Sequence, residues 1–496
     1  MSNTMIASKE EIEARIASNR PGRRVETAPR GRSTTRRFLL LEGGFYLVLA
    51  AIFALTYQDA HHLSLQTLST LGTLVAVYAY CRTVYLQPRG FWSFAALSLL
   101  VTLLFHLAAL PEIMFLGYST DETVELWIDN ITTNHAVWLA TSGVLAFLAG
   151  ITLASPARFV RLPRGGATNR TAGRGRLGAS DMLALVGLGL MLLFAFRWLR
   201  WAAGQGLLAA SYGQYLAASE GVALQTWYTM IGLGLVLLCL APRRWFTWPG
   251  FLVFLAFAYV GFPLGLRGEV LFPLAAAAAV LAFRVKMPSA VLATLLAIPA
   301  LGVIAAISRT RNAEGLAGAT AKDFSPLAAL AEMGSSLRVL GLSLSWHEHQ
   351  GLAYTAGLHY WVPARDLVTS LVFRASTPPA TPETHMNQLV DQTAGQIGGS
   401  VMASAHHAFG VPGLILVMLV VGLFLGWVGR YADLSPFALA AVGVLAFGYQ
   451  QHIRNDFSSV ALTVIYGVGA LLIAAVLTLL LREGRRGRRL LSTRAA

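Results

Sequence analysis

Residues 411–429 read VPGLILVMLVVGLFLGWVG, an apolar run without a charged side chain and long enough to cross the hydrocarbon core of a bilayer. The pattern recurs. About 12 segments of this character follow one another along the chain, where each span needs roughly 20 residues. They fall at 38–57, 65–81, 91–110, 135–154, 181–199, 222–241, 246–264, 270–283, 289–307, 411–429, 435–451 and 458–481, the eighth being short. A soluble protein of 496 residues, 55% hydrophobic and 12% charged, has no way to hide so much apolar surface. The expected fold is an all-α polytopic membrane protein with about 12 transmembrane helices and one large extracytoplasmic loop carrying interfacial helices.

The organisation follows from the gaps between spans. Residues 1–37 form a basic, disordered cytoplasmic tail, and 38–154 hold spans 1–4. A basic Gly/Arg-rich cytoplasmic linker occupies 155–180, and 181–307 hold spans 5–9. The large outer loop is 308–410, spans 10–12 fill 411–481, and 482–496 make a second basic cytoplasmic tail. The first span follows a polar tail and has no small-residue cleavage site behind it, so it reads as an anchor. With both termini cytoplasmic, most of the 38 Lys and Arg residues fall in cytoplasmic segments, chiefly short ones beside spans. The net charge of +14 is therefore a topology signal with weak attraction to anionic membrane lipid, and no nucleic-acid partner is expected. Two cysteines, Cys81 and Cys239, exclude a disulfide framework and a Cys-based metal cluster. No internal repeat is visible, which disfavours an inverted-repeat transporter.

Charges near the outer face carry the functional signal. In FPLGLRGEVLFPL (262–274), Arg267 and Glu269 interrupt an apolar stretch; Gly265 and Gly268 flank Arg267, and Pro263 and Pro273 bracket the turn. The bland reading is an interfacial turn with an internal Arg267–Glu269 pair. SRTRNAEG adds Arg309 and Arg311 after the ninth span, and HIRNDF (452–457) adds His452, Arg454 and Asp456 between the last two. If the span ends converge, these guanidinium groups make a cationic pocket suited to phosphate oxygens. Histidines gather in the large loop: His347 and His349 in SWHEHQG, His385, then His406 and His407 in ASAHHAFG. No H-E-x-x-H occurs, and H-E-H does not set both rings on one helix face, so no metal site is expected. His347 and His349 read as solvated or hydrogen-bonded side chains. His406 and His407, at the start of the tenth span, suit a general base.

Three stretches in this order resemble a family: GLRGEV before a span, YTAGLHYWVPARDLV in the large loop, and QIGGSVMASAHHAFG leading into a span, followed by the arginine of HIRNDF. They are similar to the O-antigen polymerase (Wzy) group of oligosaccharide repeat-unit polymerases, over about residues 260–480. The family's first arginine falls on Arg267. Its loop motif falls on Gly357, Tyr360, Pro363 and Arg365, and its third motif on Gly399, Ser400, Phe409 and Gly410. The chain departs from the pattern at Ser404, where the family has glutamate, and at Ala408, where it has asparagine.

The resemblance implies transfer of a growing glycan from undecaprenyl diphosphate to an incoming lipid-linked repeat unit at the outer face of the bacterial cytoplasmic membrane. Arg267, Arg309, Arg311 and Arg454 would bind the diphosphate, and Tyr360 and Arg365 the substrate. His406, His407, Glu269 and Asp456, in that order, are candidates for the base. No cofactor or metal is needed if the arginines neutralise the leaving group. The lipid-linked oligosaccharide is the principal partner, with a chain-length regulator as a candidate one. Alternatives are an O-antigen ligase-like or other outward-facing glycosyltransferase, and a lipid-linked sugar flippase. The charges stay near one face instead of crossing the midplane, which favours an enzyme over a carrier. A membrane acyltransferase would need a cytoplasmic histidine, and that side is poor in them.

Overall fold

The computed structural model describes residues 32–116, 130–155, 177–207, 212–219, 222, 224–242, 244–295, 326–373, 381–395 and 397–494. Among them the regular structure is helical, with no strand. The first half holds α1 (Arg32–Leu55), a 3-10 turn (Tyr57–His62), α2 (Leu65–Leu86), α3 (Phe94–His106), α4 (Leu110–Leu116) and α5 (Asn130–Ala154). Next come α6 (Ala179–Gly204), α7 (Tyr212–Ser219), α8 (Leu224–Leu238), α9 (Thr247–Gly261) and α10 (Arg267–Leu281). The large loop contributes α11 (Pro326–Met333), α12 (Ser336–Glu348), α13 (Leu358–Phe373) and α14 (Met386–Ala394). The chain closes with α15 (Val401–Val428), α16 (Pro436–His452) and α17 (Ser458–Arg494).

Among the described residues, five helical stretches are long and apolar enough to cross a membrane: Arg36–Leu55, Ile131–Ala154, α6, α15 and Ser458–Glu483. The pair α3–α4, bent by 56°, makes a sixth if it is one broken span. Hydropathy alone led to an expectation of about 12. The difference has local causes. The seventh and eighth expected spans are helices of 15 residues each, α9 and α10, separated by a turn in which Gly265 takes φ 82°. Such a helix is about 22 Å long against a hydrocarbon core of roughly 30 Å. α16 is likewise short at 17 residues. Most of the ninth expected span lies outside the described residues.

Backbone-to-backbone seams set the packing. A Cβ on Gly422 of α15 would lie 2.2 Å from the Phe147 carbonyl oxygen, and one on Gly150 of α5 would lie 2.3 Å from that of Leu419. Gly187 of α6 and Gly234 of α8 approach each other's backbones in the same way. Small residues permit this closeness where lipid supplies no hydrophobic drive between helices. α5 consequently sits at the centre, against α1, α2, α12 and α15, while α10 packs on α8 and α16.

α15 is two helices in one. Gly410 adopts φ 70° and ψ −162°, Pro412 follows, and the axis breaks there. The leading piece carries His406 and His407, and the trailing piece carries the glycine seam. α12, in a segment expected to lie along the membrane surface, is instead buried between α5 and α15 through Leu337, Leu340, Leu344 and Trp346. α13 exposes Leu358, Trp361, Val368 and Phe373, an apolar surface suited to an interfacial helix.

Contacts gather the functional segments at one end of the bundle. Asn134 Nδ2 donates to the Leu63 carbonyl (3.0 Å), and Tyr57 donates to Glu348 Oε1 (2.8 Å). The opposite end is pinned by Arg82–Glu42 and Arg244–Asp181, both at 2.6 Å, and by Arg89–Asp433 at 3.2 Å.

Candidate functional site

The site begins at the first turn of α10. Arg267 opens that helix, where unpaired backbone N–H groups and the helix dipole favour an anion. Its residue exposure is 5%, and its Nε is buried with no hydrogen-bond partner among the described residues. The guanidinium pairs at 2.6 Å with Glu332 of α11, not with Glu269 as the bland reading had it. Glu269, on the same turn, lies within electrostatic reach of Arg454.

Arg454 follows α16, and its guanidinium carbon stands 5.8 Å from the centre of the Phe105 ring. Gly398 and Gly399 hold it from the other side. Gly399 N–H donates to the Arg454 carbonyl, and a Cβ on Gly398, at φ 82°, would lie 2.9 Å from that same oxygen. Ser400 then caps α15 by accepting from Ala403 N–H (3.1 Å), and its hydroxyl meets His106 Nε2 at 2.8 Å. The Gly-Gly-Ser stretch thus joins the last two spans to α3.

A histidine cluster adjoins this corner. His347 of α12, His359 of α13, and His406 and His407 of α15 come together, the last three each 1% exposed. His347 Nδ1 faces the Leu352 carbonyl at 2.6 Å, and its Nε2 faces His407 Nδ1 at 2.9 Å. His359 Nε2 donates to the Ser404 carbonyl (2.8 Å), so its Nδ1 accepts from Thr355 Oγ1 (2.8 Å). His406 Nδ1 meets Ser343 Oγ at 2.9 Å. His407 Nε2 is buried without a partner among the described residues, as are Trp346 Nε1, His452 Nε2 and the Tyr360 hydroxyl. Tyr360 links the cluster to the arginine corner, since its ring centre is 4.6 Å from that of His359 and 5.8 Å from that of His452. Buried polar atoms are almost always paired, so several orphans in one place mark where polar ligand groups would sit.

Burial keeps the loop groups of this cluster neutral. It pushes His359 down to about 4 and also lowers His347, whose Leu352 and Glu348 contacts only partly offset it. The Tyr360 hydroxyl is raised by burial. Glu348 is the exception: burial raises it, but His135 and Tyr57 hold it below the ordinary carboxylate value.

The structure brings together Arg267, Glu269, Arg454, Tyr360, His406 and His407 from the sequence-derived candidates. Arg309 and Arg311 lie outside the described residues. Arg365 is exposed and paired with Asp366 at 2.8 Å. Asp456 is occupied at the start of α17, accepting from the backbone N–H (3.2 Å) and the hydroxyl of Ser458. The sequence reading did not single out His106, His359, Ser343 or Glu332. His359 sits inside the quoted loop motif GLHYW, which is the one available clue. No group of three or more His, Cys, Asp or Glu side chains arranged to hold a metal ion occurs among the described residues.

Apolar helices of spanning length, with buried arginine and histidine side chains gathered at one end, define a multi-pass membrane protein. The chain belongs to the O-antigen polysaccharide polymerase Wzy family, whose model matches residues 45–483. No curated protein and no solved structure matches it.

Proposed function

We propose that this chain polymerises lipid-linked oligosaccharide repeat units at the outer face of the cytoplasmic membrane, with both termini cytoplasmic. A growing glycan on undecaprenyl diphosphate is the donor, and a hydroxyl of the incoming lipid-linked unit is the acceptor. The observation that carries the site assignment is the unpartnered His407 Nε2, buried in a cluster that Tyr360 joins to the Arg267–Arg454 corner. His407 takes the acceptor proton as the hydroxyl oxygen attacks the anomeric carbon. The bond from that carbon to the diphosphate oxygen breaks, and the charge appearing there meets fixed guanidinium donors and the α10 N-terminus. The diphosphate displaces Glu332 from Arg267. Histidine replaces the family glutamate here one turn further along α15, since Ser404 stands at the glutamate position. His406, bonded to Ser343, supports its neighbour.

Deleting the gene in its native host and resolving surface glycan by gel and mass spectrometry tests this reading. Long chains should vanish while single repeat units persist. Long chains still built on lipid but absent from the surface would mean ligase instead, and units stranded on the cytoplasmic leaflet would mean flippase.

A further inference from the structure

The geometry points to His347 as the positioning residue that fixes which nitrogen of His407 is the base. This inference rests on the reading of His407 as general base and adds a second histidine to it. A carbonyl oxygen only accepts, so the contact at 2.6 Å to Leu352 places the proton of neutral His347 on Nδ1. His347 Nε2 then carries a lone pair. Among the described residues the group against it is His407 Nδ1 at 2.9 Å, which must donate. Neutral His407 is thereby held with its proton on Nδ1 and a bare lone pair on Nε2, the nitrogen left without a partner.

Ring packing fixes the pair in this register. Tyr354 stacks on His347 at 4.1 Å between centres and 18° between planes. Trp346 meets the His407 ring edge-on at 5.9 Å, and His359 lies stacked at 5.4 Å. The groups facing His407 are therefore His347 on α12, His359 on α13 and its neighbour His406, with Glu348 one residue beyond His347. His347 is kept neutral by its burial, as the relay requires.

The chemistry balances without another reactant. The acceptor O–H bond breaks as the new glycosidic C–O bond forms, and the proton comes to rest on His407 Nε2. The imidazolium produced strengthens its Nδ1–H bond to His347, which becomes charge-assisted. That strengthening occurs only when charge develops, so it acts on turnover and not on substrate binding. The proton then leaves with the released lipid diphosphate or with water.

The test is polymerisation of a purified lipid-linked repeat unit by the full chain in detergent or nanodiscs, across pH. His347→Ala should lower kcat about 10- to 100-fold with KM unchanged, the loss of one charge-assisted hydrogen bond. His347→Gln places an amide oxygen where Nε2 stood and should restore most of the rate. His347→Asn keeps a donor for Leu352 but is too short to reach His407, and should behave like alanine. Wild-type kcat in His347→Ala, or asparagine matching or exceeding glutamine, would overturn the proposal. If the alanine variant fails to insert, the Gln–Asn comparison decides alone. His407→Ala, run in parallel, separates the two ideas: full activity there sinks the base assignment itself, whereas a dead His407→Ala beside an unaffected His347→Ala sinks only the relay.

Discussion

Two arginines, one at each end of the bundle, make ion pairs of the same length and opposite character. Arg82 and Glu42 form a two-point contact, 2.6 Å at each, between side chains 21% and 12% exposed. Arg267 and Glu332 also meet at 2.6 Å, but the arginine side chain is 6% exposed and the glutamate 38%. In the first pair both partners are committed, and Tyr46 also bonds Glu42. In the second, a cation deep in the protein is served by an anion from the surface, and its Nε is left over. A saturated pair holds helices together. A buried cation with a partly exposed partner fits the proposed exchange for diphosphate.

The sharpest test of that contrast is Arg267→Ala. Polymer should fall by at least about 100-fold while insertion and thermal stability stay normal, as expected for losing a donor to the developing charge. Arg267→Lys should rescue poorly, because an ammonium cannot reproduce the fork. Full polymer length in both variants would remove the distinction between the two ends.

Protons extend the comparison. His359 is buried neutral, with its pKa brought from 6.5 to about 4 by desolvation. The unfolded chain therefore takes up its proton first as pH falls. The stability His359 contributes is complete above about 6.5 and is lost on acidification toward about 4, up to roughly 3 kcal/mol. Thermal unfolding across this window should show the loss, and His359→Gln should flatten it. An unchanged slope would place the acid sensitivity elsewhere.

At the opposite end, Arg82→Ala should cost about 1–3 kcal/mol of stability and leave activity per folded molecule intact. A double-mutant cycle with Glu42→Gln should recover the coupling, and its absence would make that pair ornamental. The smallest effect belongs to Glu332→Gln. Removing the borrowed anion should lower KM for the lipid-linked substrate about two- to fivefold, the worth of a partly exposed ion pair. A rise in KM would show that Glu332 helps the substrate instead of competing with it.

What could be read from the chain divides along the range of the interactions involved. The helical membrane class and the picking out of Arg267, Arg454, His406 and His407 as candidates come from local patterns: long apolar runs, charges set inside them, and a motif at a helix start. The partner of Arg267 was not legible, because Glu332 is distant in sequence and the nearer Glu269 offered a simpler pairing. Nor was the placement of His359, whose partner Ser404, unlike the local Thr355, meets it only after α13 docks on α15. Hydropathy led to about 12 spans where five or six helices among the described residues are long enough, because it registers apolar residues and not where a turn such as that at Gly265 shortens a helix. α12 shows the same limit. Its apolar residues suggested a surface helix, yet Gly341 and Ser343 let it sink between α5 and α15.

The break at Gly410 divides α15 into two parts that are held by different neighbours. Beyond the break, Gly422 and Gly426 press the helix onto α5 with no room for an added atom. Before it, the buried piece bearing His406 and His407 is capped separately by Ser400 and held through His406 to Ser343 and through His407 to His347. Mechanically this is a coupling between two fixtures: a joint at Gly410 separates strain imposed on the trailing arm by a thicker or thinner bilayer from the histidine end. Turnover should accordingly vary little with acyl-chain length in reconstituted membranes. Gly410→Ala, whose side chain is strained at φ 70° and meets the Tyr354 ring at 3.3 Å, should disturb the joint and make turnover depend on bilayer thickness.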